Sequence, residues 1–363
     1  DLQKQIPFLQ GYQEIVLFFD NDEAGRQAVE SASGILPAGR VKIARLDAYK
    51  DASDALQAGD ADAVRKAIWD AKPYTPDGIV EGKDLLELVT QPTKDYDHLY
   101  PFDGLNKMVQ GIRYGELTTL TAGTGSGKSS LVRALAVDLL KKGEKVGYLA
   151  LEESNKRSAL GLMSNARGKA YHIGEHGQEE LTDAFNDTIA NWNLYLFDGF
   201  GSFDPDVIYN RIEYLASGLE CRIIFLDHLS ILLSGLDGDE RRMIDTTMTR
   251  LRSLVERTGI TLFLVSHLRR SSSDSNSHEE GGRVSLGQLR GSHSISQISD
   301  SVIAMERDQQ SEDANNITTL RVLKNRYSGS TGVATRLTYD LSSCQFYETK
   351  NDEQPEFDPT EDF

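Results

Sequence analysis

Eight consecutive residues restrict this chain more than any others: Gly123-Thr124-Gly125-Ser126-Gly127-Lys128-Ser129-Ser130. An apolar run at 117–122 leads into them, and a helical pattern at 128–141 leads out. Glycines let successive backbone N–H groups turn toward one anion, and the following helix aims its positive end at the same point. In such a loop the lysine reaches the β- and γ-phosphates of a nucleoside triphosphate, and the next hydroxyl ligates Mg²⁺. Lys128 and Ser129 hold those two positions, and Ala122 stands where glycine is usual. A glycine-rich turn with an incidental lysine is the competing reading; the strand before it and the helix after it weigh against that. A strand that ends in this loop and a helix that begins there commit the chain to an α/β fold.

Further apolar runs at 146–151, 194–197, 221–226, 260–266, 301–305 and 318–324 predict strands, with helical patterns at 206–217 and 241–258. This alternation predicts a doubly wound, mainly parallel sheet covered on both faces. A pair of strands near 335–339 and 345–348 closes its edge, and the polar stretch 271–283, without apolar periodicity, reads as a long loop. Ahead of this unit, a strand at 14–19 ends on Asp20-Asn21-Asp22-Glu23-Ala24-Gly25. With a strand at 41–45 and a helix near 61–71 it makes a smaller α/β piece. A proline-bearing linker follows, carrying a short amphipathic helix at 84–89. The expected division is 1–73, a linker at 74–100, the main domain at 101–350 and a tail at 351–363.

Composition excludes several classes. Cys221 and Cys344 are the only cysteines, too few and too far apart for a disulfide framework or a thiolate metal site. No apolar run is long enough to span a bilayer and the first residues carry no signal-peptide pattern, so no membrane is expected and a reducing cytoplasm is the default compartment. The formal charge of -17 argues in sum against a nucleic-acid partner. Charge acts by face, however, and the tail alone holds six carboxylates (Asp352, Glu353, Glu356, Asp358, Glu361, Asp362) with no basic residue.

A triphosphate site also needs a second metal-side group and a means of activating water. The apolar strand Ile223-Ile224-Phe225-Leu226 ends on Asp227, where that carboxylate belongs, although strand-end aspartates also serve as caps. Glu152 follows the run 146–151 and is a candidate to orient or deprotonate the attacking water. Glu153 beside it is the rival, and a plain surface carboxylate is the alternative. His267 follows the strand 260–266, at the carboxyl edge where doubly wound sheets bind ligands, and is a candidate to sense a γ-phosphate. A lone histidine at a strand end is more often structural.

Further runs extend the set: Leu151-Glu152-Glu153-Ser154, Leu226-Asp227-His228-Leu229-Ser230, Ser266-His267-Leu268 and Leu289-Arg290-Gly291-Ser292. After them come Gln297-Ile298-Ser299-Asp300, Leu323-Lys324-Asn325-Arg326-Tyr327 and Thr331-Gly332. Taken in this order with the phosphate loop, they closely resemble the gene-four bifunctional primase–helicases of short-tailed T-odd phages, which belong with the DnaB-like hexameric helicases. The resemblance covers nearly the whole chain. It implies a RecA-like core, with Glu152 as catalytic base, Asp227 as the metal-side carboxylate, and His267 and Gln297 as γ-phosphate sensors. It implies that Arg326, with Lys324 nearby, is an arginine finger reaching the nucleotide of a neighbouring subunit, where it stabilises charge developing in phosphoryl transfer. Arg307 and Tyr339 match the pair that sandwiches the nucleotide base, and Arg269, Arg270, Arg290 and Gly291 match the DNA-facing segments. Without the resemblance, these would read as solvated charges and a core aromatic.

The N-terminal piece resembles the rear of a Toprim fold. Asp20 and Asp22 match its paired-aspartate Mg²⁺ turn, and Lys50-Asp51-Ala52-Ser53-Asp54 matches a following motif. The earlier acidic strand and the zinc module of such a primase would lie before Asp1, so primer synthesis by this chain is not expected. The implied activity is that of a replicative helicase motor. A homo-oligomeric ring, a hexamer, would hydrolyse dTTP or ATP with Mg²⁺, run along single-stranded DNA and unwind the fork in the cytoplasm of the infected bacterial host. The acidic tail, ending on Phe363, would contact the phage replicative DNA polymerase. A recombinase-type filament and a non-enzymatic, nucleotide-ordered replisome tether are the alternatives.

Overall fold

Why each apolar run becomes a strand is visible in what covers it. The computed structural model describes residues 2–46, 48–76, 79–91, 94–199, 204–233, 239–268, 277–278, 280–289, 292–311 and 314–349. The chain divides into two units, Asp1–Thr93 and Lys94–Phe363. In the first, β1 (Ile15–Leu17) and β2 (Val41–Ile43) pair in parallel and β3 (Lys72–Pro73) adds antiparallel to β2. Ile15, Leu17, Ala32, Leu36 and Val41 form a small apolar core between this sheet and the helix Glu23–Ser33. The strands are shorter than the sequence implied, because apolar residues past them, such as Phe19, are exposed rather than covered.

In the second unit, nine strands form one sheet. They are β4 (Leu117–Ala122), β5 (Val146–Ala150), β6 (Leu194–Leu196), β7 (Ile223–Asp227), β8 (Thr261–His267), β9 (Ser301–Glu306), β10 (Ile317–Asn325), β11 (Gly332–Asp340) and β12 (Gln345–Glu348). Their order is β12-β11-β10-β9-β4-β8-β7-β5-β6. From β9 to β6 all neighbours are parallel; β10, β11 and β12 extend the sheet antiparallel. The parallel strands β4, β5 and β9 are buried at every position, as a sheet with both faces covered requires, whereas β10 alternates buried and half-buried residues. One face packs Leu131, Leu135 and Leu139 of the helix Lys128–Lys141 against Tyr148, Phe225 and Phe263; the other packs Ile244, Met248, Leu251 and Val255 of Glu240–Thr258 against Ile224 and Leu264. The Phe225 and Phe263 rings stack at 4.7 Å.

Some stretches of the second unit depart from the sequence reading. The helix Asn155–Arg167 carries no clean apolar stripe because it buries Ser158, Ser164 and Asn165. It lies so close to Lys128–Lys141 that a Cβ on Gly161 would meet Arg133 Nε at 2.5 Å. The polar stretch 271–283 is not wholly a solvated loop either: His278, near its end, is 9% exposed.

Candidate functional site

Four strand ends converge on one edge of the larger sheet. Ala122, the last residue of β4, lies in register with His267 of β8, and Asp227 of β7 lies in register with Ala150 of β5. The phosphate loop, His267, Asp227 and Glu152 therefore emerge side by side at the carboxyl edge, where open α/β sheets bind ligands. Gly125 and Gly127 have φ of 72° and 92°, conformations that keep the loop's N–H groups turned to one side and that a side chain would strain.

Lys128 lies beneath its own loop. Its Nζ donates to the carbonyls of Ala122 at 3.0 Å and Gly123 at 3.1 Å, and stands 3.1 Å from His267 Nδ1. Burial pushes its ammonium down to about 8, against the opposing pull of Asp227 and Glu152. Ser129 Oγ donates to Asp227 Oδ2 at 3.2 Å, and burial pushes the Asp227 carboxyl upward. A hydroxyl and a carboxylate oxygen so placed are the hard donors that Mg²⁺ takes.

The two adjacent glutamates part company here. Glu153 accepts from Arg133 at 2.6 Å and from Ser158 Oγ at 2.8 Å, and is mostly buried. Glu152 keeps a 56% exposed side chain facing His228. Ser230 N–H donates to His228 Nδ1 at 3.1 Å, so the ring proton lies on Nε2, which donates to Glu152 Oε1 at 2.6 Å. The His228 ring is 4% exposed and meets the His267 ring edge-on at 4.1 Å. Glu152, His228 and His267 bring ligand atoms within 4.8 Å of one another. Because the Ser230 amide occupies Nδ1 and Nε2 carries the proton, His228 supports a carboxylate here rather than a metal.

Beside the loop, a Cβ on Gly127 would lie 4.0 Å from both Arg307 Nη1 and Phe346 Cζ. The Tyr339 ring packs on Phe346 at 4.8 Å, and burial pushes its phenol pKa upward. Gln309 Nε2 donates to Thr124 O at 2.8 Å. Arg307 thus lies beside the phosphate loop, and Tyr339 joins it through Phe346. His228, Gln309 and Phe346 were not singled out from the sequence, where only the Leu226-Asp227-His228 run hinted at the first.

Three other residues sit elsewhere. Lys324 Nζ donates to the carbonyls of Ser296 (2.6 Å), Gln297 (2.9 Å) and Ser299 (2.7 Å). Arg326 donates to Asp300 Oδ1 at 2.9 Å and to Gln297 O at 2.8 Å. Asp300 N bonds Leu117 O, at the opposite end of β4 from the phosphate loop. Five residue-to-residue steps of strand separate the two ends, about 17 Å at ~3.3 Å per residue. Within one chain, Gln297 therefore belongs with Lys324 and Arg326 and stands away from Lys128 and His267. Its side chain is exposed and bonds His293.

In the first unit the carboxylate of Asp22 caps the helix Glu23–Ser33 by accepting from Gly25 N at 2.9 Å, and this bond, then Lys50, lowers its pKa. Lys50 Nζ stands 3.5 Å from Asp22, and Asn21 N donates to Lys50 O at 2.8 Å, so the two N-terminal motifs meet. A Cβ on Gly25 would lie 1.9 Å from Asp20 O, which makes glycine obligatory at that turn. Arg269, Arg270, Arg290, Gly291 and Phe363 lie outside the described residues; Leu268 and Leu289, next to two of them, form an antiparallel bridge.

A glycine-rich loop, a buried lysine and three flanking carboxyl-edge groups on a parallel sheet define a nucleotide-binding α/β domain. Residues 100–348 match the DnaB-like helicase C terminal domain family, and the chain belongs to that family. Residues 2–56 match the Toprim-like family. The DNA helicase/primase of Enterobacteria phage T3 is 36% identical over 343 residues, 91% of this chain; the chain spans 60% of that relative's length. A DnaB-like replicative helicase, solved in work on its interactions with primase, superposes with TM-score 0.60 at 18% identity, over 81% of this chain and 71% of the other. A second solved structure, an ATPase domain, gives TM-score 0.61 at 20% identity, over 76% of this chain and all of the other. These two establish likeness of fold. The resemblance and the RecA-like fold class read from the motifs are borne out.

Proposed function

We propose that this chain is the motor of a replicative DNA helicase, hydrolysing a nucleoside triphosphate, dTTP or ATP, in a ring on single-stranded DNA. One observation carries the reading: Lys128, Ser129, Asp227, Glu152 and His267 share one sheet edge, while Arg326 stands at the other. A complete phosphoryl-transfer site then draws on two chains.

In this reading residues 123–130 cradle the phosphates and Lys128 turns from its loop carbonyls to the β- and γ-oxygens. A Mg²⁺ held by Ser129 and Asp227 would neutralise charge on those oxygens. Glu152, positioned by His228, takes the proton of the attacking water, and His267 senses the γ-phosphate. Arg307 and Tyr339 bracket the base. Lys324, Gln297 and Arg326 act on the neighbour's nucleotide, with six chains closing a hexamer. Arg269, Arg270, Arg290 and Gly291 track DNA phosphates, where modest charge per subunit repeats around the channel. The acidic tail engages the phage replicative polymerase through Phe363, and Asp20 and Asp22 hold Mg²⁺ in the Toprim piece.

Among the described residues no helix is long and apolar enough to cross a membrane; the proposed setting is the cytoplasm of the infected bacterial host. Family membership disfavours the recombinase and tether alternatives. Fork unwinding set beside strand exchange, with each triphosphate in turn, tests the reading: unwinding coupled to turnover supports it, and strand exchange without unwinding overturns it.

A further inference from the structure

One buried imidazole has no part in the site so far. His278 is 9% exposed, and among the described residues neither its Nδ1 nor its Nε2 has a hydrogen-bond partner. It lies against Gly123 of the phosphate loop. A Cβ on Gly123 would stand 2.8 Å from His278 Cβ and 3.3 Å from Ser126 Oγ. Ser126 is 2% exposed, and its hydroxyl is likewise unpartnered among those residues. Thr124 and Gly125 form the exposed crest of the loop, whereas Gly123 and Ser126 are buried. His278 Cβ and Ser126 Oγ thus flank the same glycine, within side-chain reach of each other.

Buried polar groups without partners are rare, and leaving one unpaired is more unfavourable than an ordinary hydrogen bond is favourable. Residues a short way past His278 are tied to the sheet. Glu280 bridges to Asp308, and Val284 N donates to Glu306 Oε1 at 2.7 Å. Glu306 in turn holds Arg321 through bonds of 2.7 and 3.1 Å. The loop, with glycines at 123, 125 and 127, is the partner able to shift. An imidazole offers one donor and one acceptor, and a hydroxyl can meet either.

The geometry points to His278 as a positioning residue for the phosphate loop: its ring bonds the Ser126 hydroxyl when the loop closes on a triphosphate. The position of His278 is thereby tied to occupancy of the site. This rests on the loop's reading as a triphosphate site.

The test uses the full chain with a non-hydrolysable ATP analogue and Mg²⁺. His278→Leu should melt, without nucleotide, no lower than the parent, because it removes unpartnered polar atoms from a buried place. It should nevertheless bind the analogue about fivefold more weakly, the worth of one net hydrogen bond. Ser126→Ala should lose the same, and the double variant no more than either single. In ¹⁵N-histidine-labelled parent protein, the His278 ring signals should move on adding the analogue. A His278→Leu protein that melts lower yet binds the analogue normally makes the residue mere packing and overturns the proposal. Additive losses overturn it too. Unmoved ring signals in a parent that binds the analogue overturn it even where the substitution unfolds the chain. A parent that binds no analogue overturns the triphosphate reading itself, and this inference with it.

Discussion

Nε2 of His228 donates to Oε1 of Glu152 across 2.6 Å, while Glu153, the next residue, turns into Arg133 at the same distance. Two chemically identical neighbours are thereby given different tasks. Glu152→Gln should keep nucleotide and DNA binding but lose turnover by about 10²- to 10⁴-fold, the usual worth of a positioned base. His228→Ala should lower kcat with little change in KM, since it releases the carboxylate without touching the phosphates. Steady-state kinetics decide; a turnover defect in Glu153→Gln but not in Glu152→Gln would reverse the assignment.

Glu153→Gln should show its effect in stability. Arg133 and Glu153 are only 13% and 16% exposed, so removing the acid leaves a largely buried guanidinium short of a partner. A loss of about 1–3 kcal/mol is expected, read as a lower urea midpoint. An unchanged midpoint would mean that solvent reaches Arg133.

Lys128→Ala should abolish hydrolysis, because among the described residues no other cation bonds the loop carbonyls of Ala122 and Gly123. Arg326→Ala should lose DNA-stimulated hydrolysis while still binding nucleotide. Mixed rings of the two should regain some activity, since an intact finger can face an intact loop. No recovery in verified mixed rings would place the action of Arg326 elsewhere.

Cys221 is fully buried, and burial pushes its thiol from the ordinary 9.0 to about 11. The folded chain therefore holds this proton where the unfolded chain has lost it. The resulting stabilisation is complete below pH ~9 and disappears as pH rises through ~11. At pH 8 iodoacetamide should leave Cys221 unmodified in the native protein and modify it in urea. Rapid native modification, found by peptide mass spectrometry, would contradict this.

Removing Phe363 should weaken binding to the phage replicative polymerase while sparing ring assembly and DNA-dependent hydrolysis, because an aromatic anchor supplies buried area and the carboxylates supply salt-sensitive steering. Equal affinity of intact and shortened chains at low salt would leave the tail a solubilising segment.

Strands such as β5 and β7 were legible because burial on both faces favours near-continuous apolar runs, and the loop at 123–130 was legible because few other functions need that spacing of glycines. Asn155–Arg167 was not, since a helix that buries serines and an asparagine hides its own periodicity. Glu152 and Glu153 share one chemistry and one strand end, so only the third dimension separates them. Gln297 shows the converse difficulty: family likeness attaches it to the phosphates, yet in one chain its carbonyl binds Lys324 and Arg326.

The separation of the phosphate loop from Arg326 along β4 also constrains symmetry. Two copies facing each other across a two-fold axis would bury the same patch on both, and such a pair closes on itself with no further neighbour. In a head-to-tail, heterologous contact the Arg326 end of one chain would face the loop end of the next, and the array must either close by rotation or run on as a helix. Every chain in such an array would have a direction, giving to one neighbour and receiving from the other, and the assembly would have a handed sense around its axis before any DNA is bound.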